Sequence, residues 1–531
     1  MQEPDDATKL FSDVPSCPEV DPAVVVLLSL TNIASTGRIN DQRSVSSLST
    51  RAGKNRRKYV KFYLETRYNV VRSVCANQMF WKKSFSVDAC DIFWTDVCMG
   101  ADRFCKLKPH QRYNHFIGMN SITRKNNLGR NLLRMRKFFK SEYSFFPETW
   151  ILPMDLPDFK SQPKKKTYIV KPDNSCQGKG IYITQNPEAV KVDFEQGWVA
   201  QLYLARPLLL DGFKFDLRVY VLVTGCDPLR VYVHTDGLVR LCCTPWESSV
   251  SNLSEQTMHL TNYAVNVKSG QFIENSNPND IHDGHKRSLK CFFDHIPICK
   301  ARELVTQIDD LVIKTLICVQ PSLAHVNFSC QPDDLKNEKS FEILGFDIIL
   351  DQDYKPWLLE VNHAPSFATD SQLDTLVKYS VINDTMKLLN VCPPTKHAAA
   401  VKHSNYTTAS PELLVKIAQE RDSIEKNFGG FRKIYPTEMT EKNYARFHDK
   451  AIEVWETLTG AASRKPVRLW AAAPPLPAAA PKHKVRPKPV KFIPPIISVP
   501  KKRAIKSVVI PVTSLVFSFG NISCQRSRSL T

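Results

Sequence analysis

Two apolar runs, Phe341 to Leu350 and Trp357 to Val361, are joined by Asp351-Gln-Asp-Tyr-Lys, a turn-forming stretch that predicts a β-hairpin. Asp347, Glu360 and Asn362 interrupt the runs. Because side chains alternate along a strand, Glu360 and Asn362 share a face, and the hairpin can bring Asp347 beside them. Three oxygen donors then converge, a set that suits a hard ion such as Mg²⁺ shared with phosphate oxygens. An acidic turn beside a buried strand would look the same, so the triplet decides nothing alone.

Its companions lie upstream. Between Thr167 and about Leu241 the runs Tyr168-Ile-Val, Ile181-Tyr-Ile-Thr, Trp198 to Tyr203, Leu217 to Thr224 and Leu229 to His234 predict a mostly antiparallel sheet. The first run leads into Lys171-Pro-Asp-Asn-Ser-Cys-Gln177-Gly178-Lys179-Gly180. Two glycines and flanking lysines suit a flap that holds phosphates through N–H groups and ammonium charges, although GxxxxGK[ST] is absent. Further on, alternation puts Lys214, Asp216 and Arg218 on one side of a strand and Phe215 and Leu217 on the other. A solvent-facing salt-bridge ladder would read the same way; the order of flap, basic strand and acidic hairpin is what carries weight.

At 531 residues the chain is expected to form two to four units. Residues 1–55 are polar and aperiodic and are expected to be disordered. From there to 150, strand-like runs (Tyr59 to Leu64, Ile92 to Trp94) alternate with a helical pattern, Leu128 to Phe139, as in α/β domains. A second helix is predicted over Arg302 to Val319, and Pro411 to about Gly460 reads as helical with breaks at Gly429-Gly430 and Pro436. No acidic residue follows Glu456, and the segment 464–531 is a basic, Pro/Ala-rich stretch expected to be disordered. Fifteen scattered cysteines without a CxxC pair point to free thiols in a reducing compartment. The longest early apolar run, Ala23 to Leu30, is too short to span a bilayer, so neither a signal peptide nor a membrane is expected. A net charge of +19 calls for an acidic partner without choosing among nucleic acid, anionic membrane and acidic protein tails.

Seven blocks in order, Tyr113-Asn-His-Phe-Ile-Gly118-Met, Thr123-Arg-Lys125, Lys171 to Ile181, Asp211 to Arg218, His259-Leu-Thr-Asn-Tyr263, Phe341 to Asp347 and Leu358 to Ser366, resemble the tubulin tyrosine ligase-like family. Asn427 to Pro436 also resembles a block of its polyglutamylase branch. The resemblance spans about residues 56–395 and implies an α/β, ATP-grasp-like fold. An N-terminal α/β domain (56–150), a central domain with the flap (151–230) and a C-terminal domain with the metal site (231–395) would enclose ATP. A helical extension (396–463), with microtubule binding as its expected task, would follow.

The resemblance implies ATP contacts from Lys171, Gln177, Gly178, Gln201, Leu202, Tyr203, Leu204, Lys214, Phe215, Asp216, Thr261 and Asn262, and Mg²⁺ held by Asp347, Glu360 and Asn362. Arg240, Tyr263, Ala264, Lys286 and Lys378 match positions that receive free L-glutamate. Gln177 and His363 match positions facing the acceptor protein. Lys125 and Arg218 are expected to neutralise phosphate charge during catalysis. Ala264 stands where a serine is usual, Asn174-Ser175 replaces Ser-Gly, and Ala364 replaces serine; Ala264 bears on glutamate affinity. The implied activity is ATP-dependent ligation of glutamate to glutamate side chains or growing chains of tubulin C-terminal tails, with the Cys-Gln-Gly-Lys-Gly flap closer to members that lengthen chains. A glycine or tyrosine ligase of the same fold, or a non-catalytic microtubule-binding protein, are the alternatives. Acidic tubulin tails would account for the charge without nucleic acid, and place the protein in the cytoplasm on the cytoskeleton, including the cilium axoneme or basal body.

Overall fold

In the computed structural model, which describes residues 59–470 apart from 194, 250–251, 394–407 and 464, the short apolar runs become strands of three sheets. A parallel sheet of order β2-β1-β3-β4 holds β1 (Lys61–Glu65), β2 (Lys82–Lys83), β3 (Ile92–Thr95) and β4 (Arg112–Tyr113). An antiparallel sheet of order β5-β8-β6-β7 holds β5 (Thr149–Leu152), β6 (Tyr168–Pro172), β7 (Tyr182–Thr184) and β8 (Trp198–Leu202). The eight-stranded sheet comprises β9 (Leu209–Leu210), β10 (Phe213–Cys226), β11 (Leu229–His234), β12 (Leu238–Leu241), β13 (Lys286–Ser288), β14 (Glu342–Leu350), β15 (Pro356–His363) and β16 (Phe431–Tyr435).

The run predicted as one antiparallel sheet therefore divides between two. Residues 213–230, read from the sequence with the flap-bearing unit, belong to the larger sheet because β10 pairs with β12 along one edge and β14 along the other. The strand β11 also runs across residue 230 without a break.

Alternation along β10 organises the larger sheet. Phe215, Leu217, Val219, Val221 and Val223 enter one apolar cluster, under α2 (Ile298–Ile317) and α3 (Gln320–Cys330), which follow α1 (Lys125–Phe138) in the chain. Tyr220 and Leu222 enter a second cluster, with Leu373, Val377 and Val381 of α4 (Gln372–Leu389) and the N-terminal sheet. Both faces being covered explains why this strand is a nearly continuous apolar run. On the second face the apolar positions give way at the N-terminal end of β10 to Lys214, Asp216 and Arg218, where the site lies.

Helix α2 begins four residues before the predicted Arg302, directly after Pro297, whose fixed φ suits a helix entry. The expectation of an all-helical segment after Pro411 is corrected. Helices α5 (Pro411–Ile424) and α6 (Glu438–Thr459) flank β16, in which Phe431, Ile434 and Tyr435 are buried. The glycines and proline that read as helix breaks bound a strand that pairs antiparallel with the edge of β11. Behind it, Arg230 reaches Asp422 at 2.9 Å and Glu425 at 3.2 Å, and Arg421 reaches Glu425 at 2.7 Å. Residues 411–459 are thus built into the main sheet and its core. After α6 the backbone N–H groups of Leu469 and Trp470 donate to Glu441 at 2.8 and 2.6 Å. Of the stretches expected to be disordered, 1–55 and the part of 464–531 from 471 onward lie outside the described residues.

Among the described residues no single helix is long and apolar enough to cross a membrane, and the cysteines there are free.

Candidate active site

Register places a charged row across five strands. Lys286 of β13 stands opposite Arg240 of β12, and Arg240 opposite Asp216 of β10. Two residues along β10, Arg218 stands opposite Asp347 of β14, which stands opposite Glu360 of β15. Directly paired residues share a face, as do residues two apart, so the row lies on one side of the sheet over roughly 19 Å at about 4.8 Å per strand.

The row is tightly paired. Arg218 donates from Nε and Nη2 to the two oxygens of Asp347 at 2.6 and 3.0 Å. Arg240 grips Asp216 in the same two-pronged manner at 2.7 and 2.6 Å and extends Nη2 to Asp347 Oδ2 at 2.8 Å. Thr261 donates to Asp216 at 2.6 Å. Burial alone would raise the Asp347 carboxyl, but the two guanidiniums outweigh it and hold it well below the usual carboxylate range. Burial likewise opposes the charge on Arg240, and the carboxylates of Asp216 and Asp347 reverse that and raise it.

Beyond Asp347 the Asn362 amide lies 3.3 Å from Asp347 Oδ2 and 3.2 Å from Glu360 Oε1, and Lys125 Nζ lies 3.5 Å from Glu360. Either end of an amide can be turned toward such a cluster. Two carboxylates and an amide on adjacent strands fit the oxygen preference of Mg²⁺. They do so beside three cations, Arg218, Arg240 and Lys125.

The small sheet faces this row across an open cleft of about 800 Å³. Lys171, at the end of β6, is buried and donates to Gln201 at 2.7 Å, which donates to Thr149 at 3.0 Å. Burial pushes the Lys171 ammonium down to about 8; the Glu360 carboxylate works against this, and Lys125 and Lys214 with it. Lys214 donates to the Tyr203 hydroxyl and the His259 carbonyl, both at 2.8 Å, and its ammonium lies 4.5 Å from the Tyr203 ring centre and 5.5 Å from that of Trp246. Burial pushes it, too, down to about 8. The flap arches over the cleft, tied down by Lys125 Nζ on the Ser175 carbonyl at 2.8 Å. Gln177 and Gly178 both take the left-handed region, with φ 62° and 78°. At Gly178 a Cβ would sit 2.9 Å from a Val265 methyl, so only glycine fits unstrained.

Of the sequence-predicted residues, the cleft collects Lys125, Lys171, Gln177, Gly178, Gln201 to Leu204, Lys214, Asp216, Thr261, Asn262, Asp347 and Glu360. Arg218, Arg240 and Asn362 join it through Asp347. Phe215 does not: its ring is buried on the opposite face against Phe292, 5.4 Å between centres. Lys286 and Lys378 meet at Asp374, with Lys286 4.1 Å above the Tyr263 ring, and Ala264 follows in the same short helix. His363 is exposed at the end of β15, next along from Asn362 and so on the other strand face, beside His115. The His115 ring nitrogens are engaged by Glu342 at 3.0 Å and the Thr95 carbonyl at 2.9 Å.

Ile169, Ile349, Leu359, His259 and Leu260 also line the cleft. The first two were within reach of the sequence, since each lies two residues from a predicted polar contact on the same strand. His259 acts through its carbonyl and ring packing, which no residue pattern announces.

The sequence profile described as "Tubulin-tyrosine ligase family" matches residues 104–399, which takes in both sheets of the cleft except for β16. This chain belongs to the tubulin-tyrosine ligase family. Within it, the chain is 41% identical over 427 residues to a "Probable beta-tubulin polyglutamylase" of Tetrahymena thermophila, covering 76% of this chain and 36% of that protein. It is 41% identical over 395 residues to "Tubulin polyglutamylase ttll6" of Danio rerio, with 70% and 50% covered. To human "Tubulin polyglutamylase TTLL13" it is 42% identical over 381 residues, with 67% and 46% covered. The chain spans between about a third and a half of the length of these relatives.

Proposed function

We propose that this family member is an ATP-dependent glutamate ligase acting on the acidic C-terminal tails of tubulin. The observation that carries the reading is the charged row, with its oxygen-donor end under a phosphate-suited flap and its other end, at Lys286, cationic. The polyglutamylase names of relatives at about this identity support the donor and the acceptor.

In this reading Asp347, Glu360 and Asn362 would hold Mg²⁺, which when bound supplies positive charge to the phosphate oxygens. Lys171 binds phosphates from the small-sheet side, Lys214 from β10 of the larger sheet and Lys125 from the α1 side, with Gln201 to Leu204 and Thr261 lining the nucleotide's cleft. The acceptor carboxylate attacks the γ-phosphorus, ADP leaves, and an acyl phosphate forms. The amine of free glutamate attacks that carbonyl, loses a proton, and expels phosphate as the C–N bond closes. Fixed charges aimed at the developing charge, and the holding of both reactants, supply the rate enhancement. Arg240, Lys286 and Lys378 receive the donor's carboxylates, which favours an acidic amino acid over glycine or tyrosine. Gln177, at the tip of the flap, and His363, exposed at the strand end, face the acceptor, and chain lengthening is the assigned mode. The site of action is then the microtubule cytoskeleton, cilia included.

Mass spectrometry of tubulin tails after incubation with the purified chain, ATP and equimolar glutamate, glycine and tyrosine tests this directly. Increments of one glutamate, extended on tails that already carry a branch, are expected. Glycine or tyrosine increments would overturn the donor assignment, and growth only on unbranched tails the lengthening mode.

A further inference from the structure

Asp374 plays no part in the mechanism above, yet its placement is unusual for a carboxylate at a helix start. Ser371 caps α4, its hydroxyl accepting from the Asp374 N–H at 3.1 Å, and the Asp374 side chain is wholly buried. An acidic residue in the first turn is already favoured by the helix dipole and needs no counter-ion. Here it has two. Lys286, from β13, lies 2.6 Å from Oδ2, and Lys378, one turn further along α4, lies 2.7 Å from Oδ1. The Ser371 hydroxyl also donates to Oδ2 at 3.1 Å.

Two buried ammoniums on one carboxylate leave a surplus positive charge, which is costly away from water unless an anion completes it. Among the described residues no second carboxylate pairs with either ammonium, and the exposed Asp370 acts on Lys378 only from longer range; Lys378 also donates to the Ala368 carbonyl, and Lys286 lies over the Tyr263 ring. The surplus charge belongs to a cluster whose Lys286 is the cross-strand neighbour of Arg240, three strands from Asp347. Three strand spacings of about 4.8 Å give roughly 14 Å, room for an amino acid between the cluster and a reacting carbonyl.

We propose that Asp374 is a positioning residue that holds the Lys286 and Lys378 ammoniums side by side as the receptor for a carboxylate of the incoming amino acid. The inference rests on the ligase reading above and names the group that builds its donor subsite. Without Asp374 the two ammoniums repel each other, and one must turn away or lose its proton.

The test is glutamate binding to the full chain with a non-hydrolysable ATP analogue and Mg²⁺, by titration calorimetry, for wild type and Asp374→Asn. The asparagine keeps the shape and the Ser371 cap. Its expected effect is a tenfold or greater loss of glutamate affinity with the affinity for the analogue within twofold. Should that variant fail to fold, Asp374→Glu keeps the charge but shifts it by a methylene, and is expected to weaken glutamate several-fold with analogue binding again intact. Unchanged glutamate affinity in the folded variant, with a lowered melting temperature, would make Asp374 structural and overturn this inference alone. A wild-type chain that binds no glutamate would overturn both it and the functional reading.

Discussion

Raising the pH from 7 to 9 is expected to weaken ATP binding about a hundredfold, because the two buried lysines proposed to hold its phosphates discharge near 8. Burial sets the Lys171 and Lys214 ammoniums at about 8 in the free protein. Phosphate binding requires both to be charged. Below 8 they are protonated and binding is independent of pH on their account; above it, each must recover a proton on binding. At pH 9 about one-tenth of each is charged, so each lysine costs about tenfold, or ~1.4 kcal/mol. Two such groups give about a hundredfold. The assay is titration with a fluorescent ATP analogue and Mg²⁺ between pH 7.5 and 9.5, above the phosphate's own ionisation. Lys171→Met should bind more weakly at every pH and show about half the steepness above pH 8, since one proton remains to be recovered. A dissociation constant flat to pH 9.5 in the wild type would refute the reasoning.

Arg240→Ala strands the buried carboxylate of Asp216 and leaves Asp347 to Arg218 alone, and breaking a buried pair of this kind costs about 3–5 kcal/mol; chemical denaturation should show that loss, and glutamate incorporation should be abolished. Gly178→Ala forces a side chain into the left-handed region and into Val265, a cost of about 1–2 kcal/mol carried by the flap; analogue binding should fall more than melting temperature. Removing residues from 411 onward bares the edge of β11 and leaves Arg230 without Asp422 and Glu425, so the shortened chain should aggregate in size-exclusion chromatography. Arg421→Ala loses Glu425 and the Thr224 carbonyl at 2.8 Å while leaving β16 on β11 and Arg230 on Glu425, and chemical denaturation should show a loss of about 3 kcal/mol without aggregation.

What could be read from the sequence follows from period and proximity. The hairpin announced itself through two apolar runs and a short turn, and alternation alone put Lys214, Asp216 and Arg218 on a common face, with Glu360 and Asn362 on another. Asp347 and Glu360 are cross-strand partners only because a bulge between Asp347 and Ile348 shifts by one residue the register that the turn sets, a shift no local pattern announces. Arg240 and Lys286 are different. Each lies on a short strand of three or four residues, and their adjacency depends on β13 arriving beside β12 after some forty residues that hold only two one-turn helices, which no local pattern encodes. The same limit hid Asp374, whose partners come from β13 and from its own helix. The strand β16 is not legible in the sequence because Gly429-Gly430 and Pro436 punctuate a strand as readily as they break a helix. The motif carries Phe215 into the expected site with its neighbours, whereas period two assigns its side chain to the core, where it is buried.

The central claim is that Asp347, Glu360 and Asn362 serve a ligation. ATP-dependent incorporation of radiolabelled glutamate into purified microtubules by the wild-type chain and by Glu360→Gln measures it most directly. Labelled tubulin with the wild type, and none above background with the variant while both chains still sediment with microtubules, is the predicted result. Equal, trace-level labelling by both would contradict the account and leave a protein that binds microtubules without modifying them.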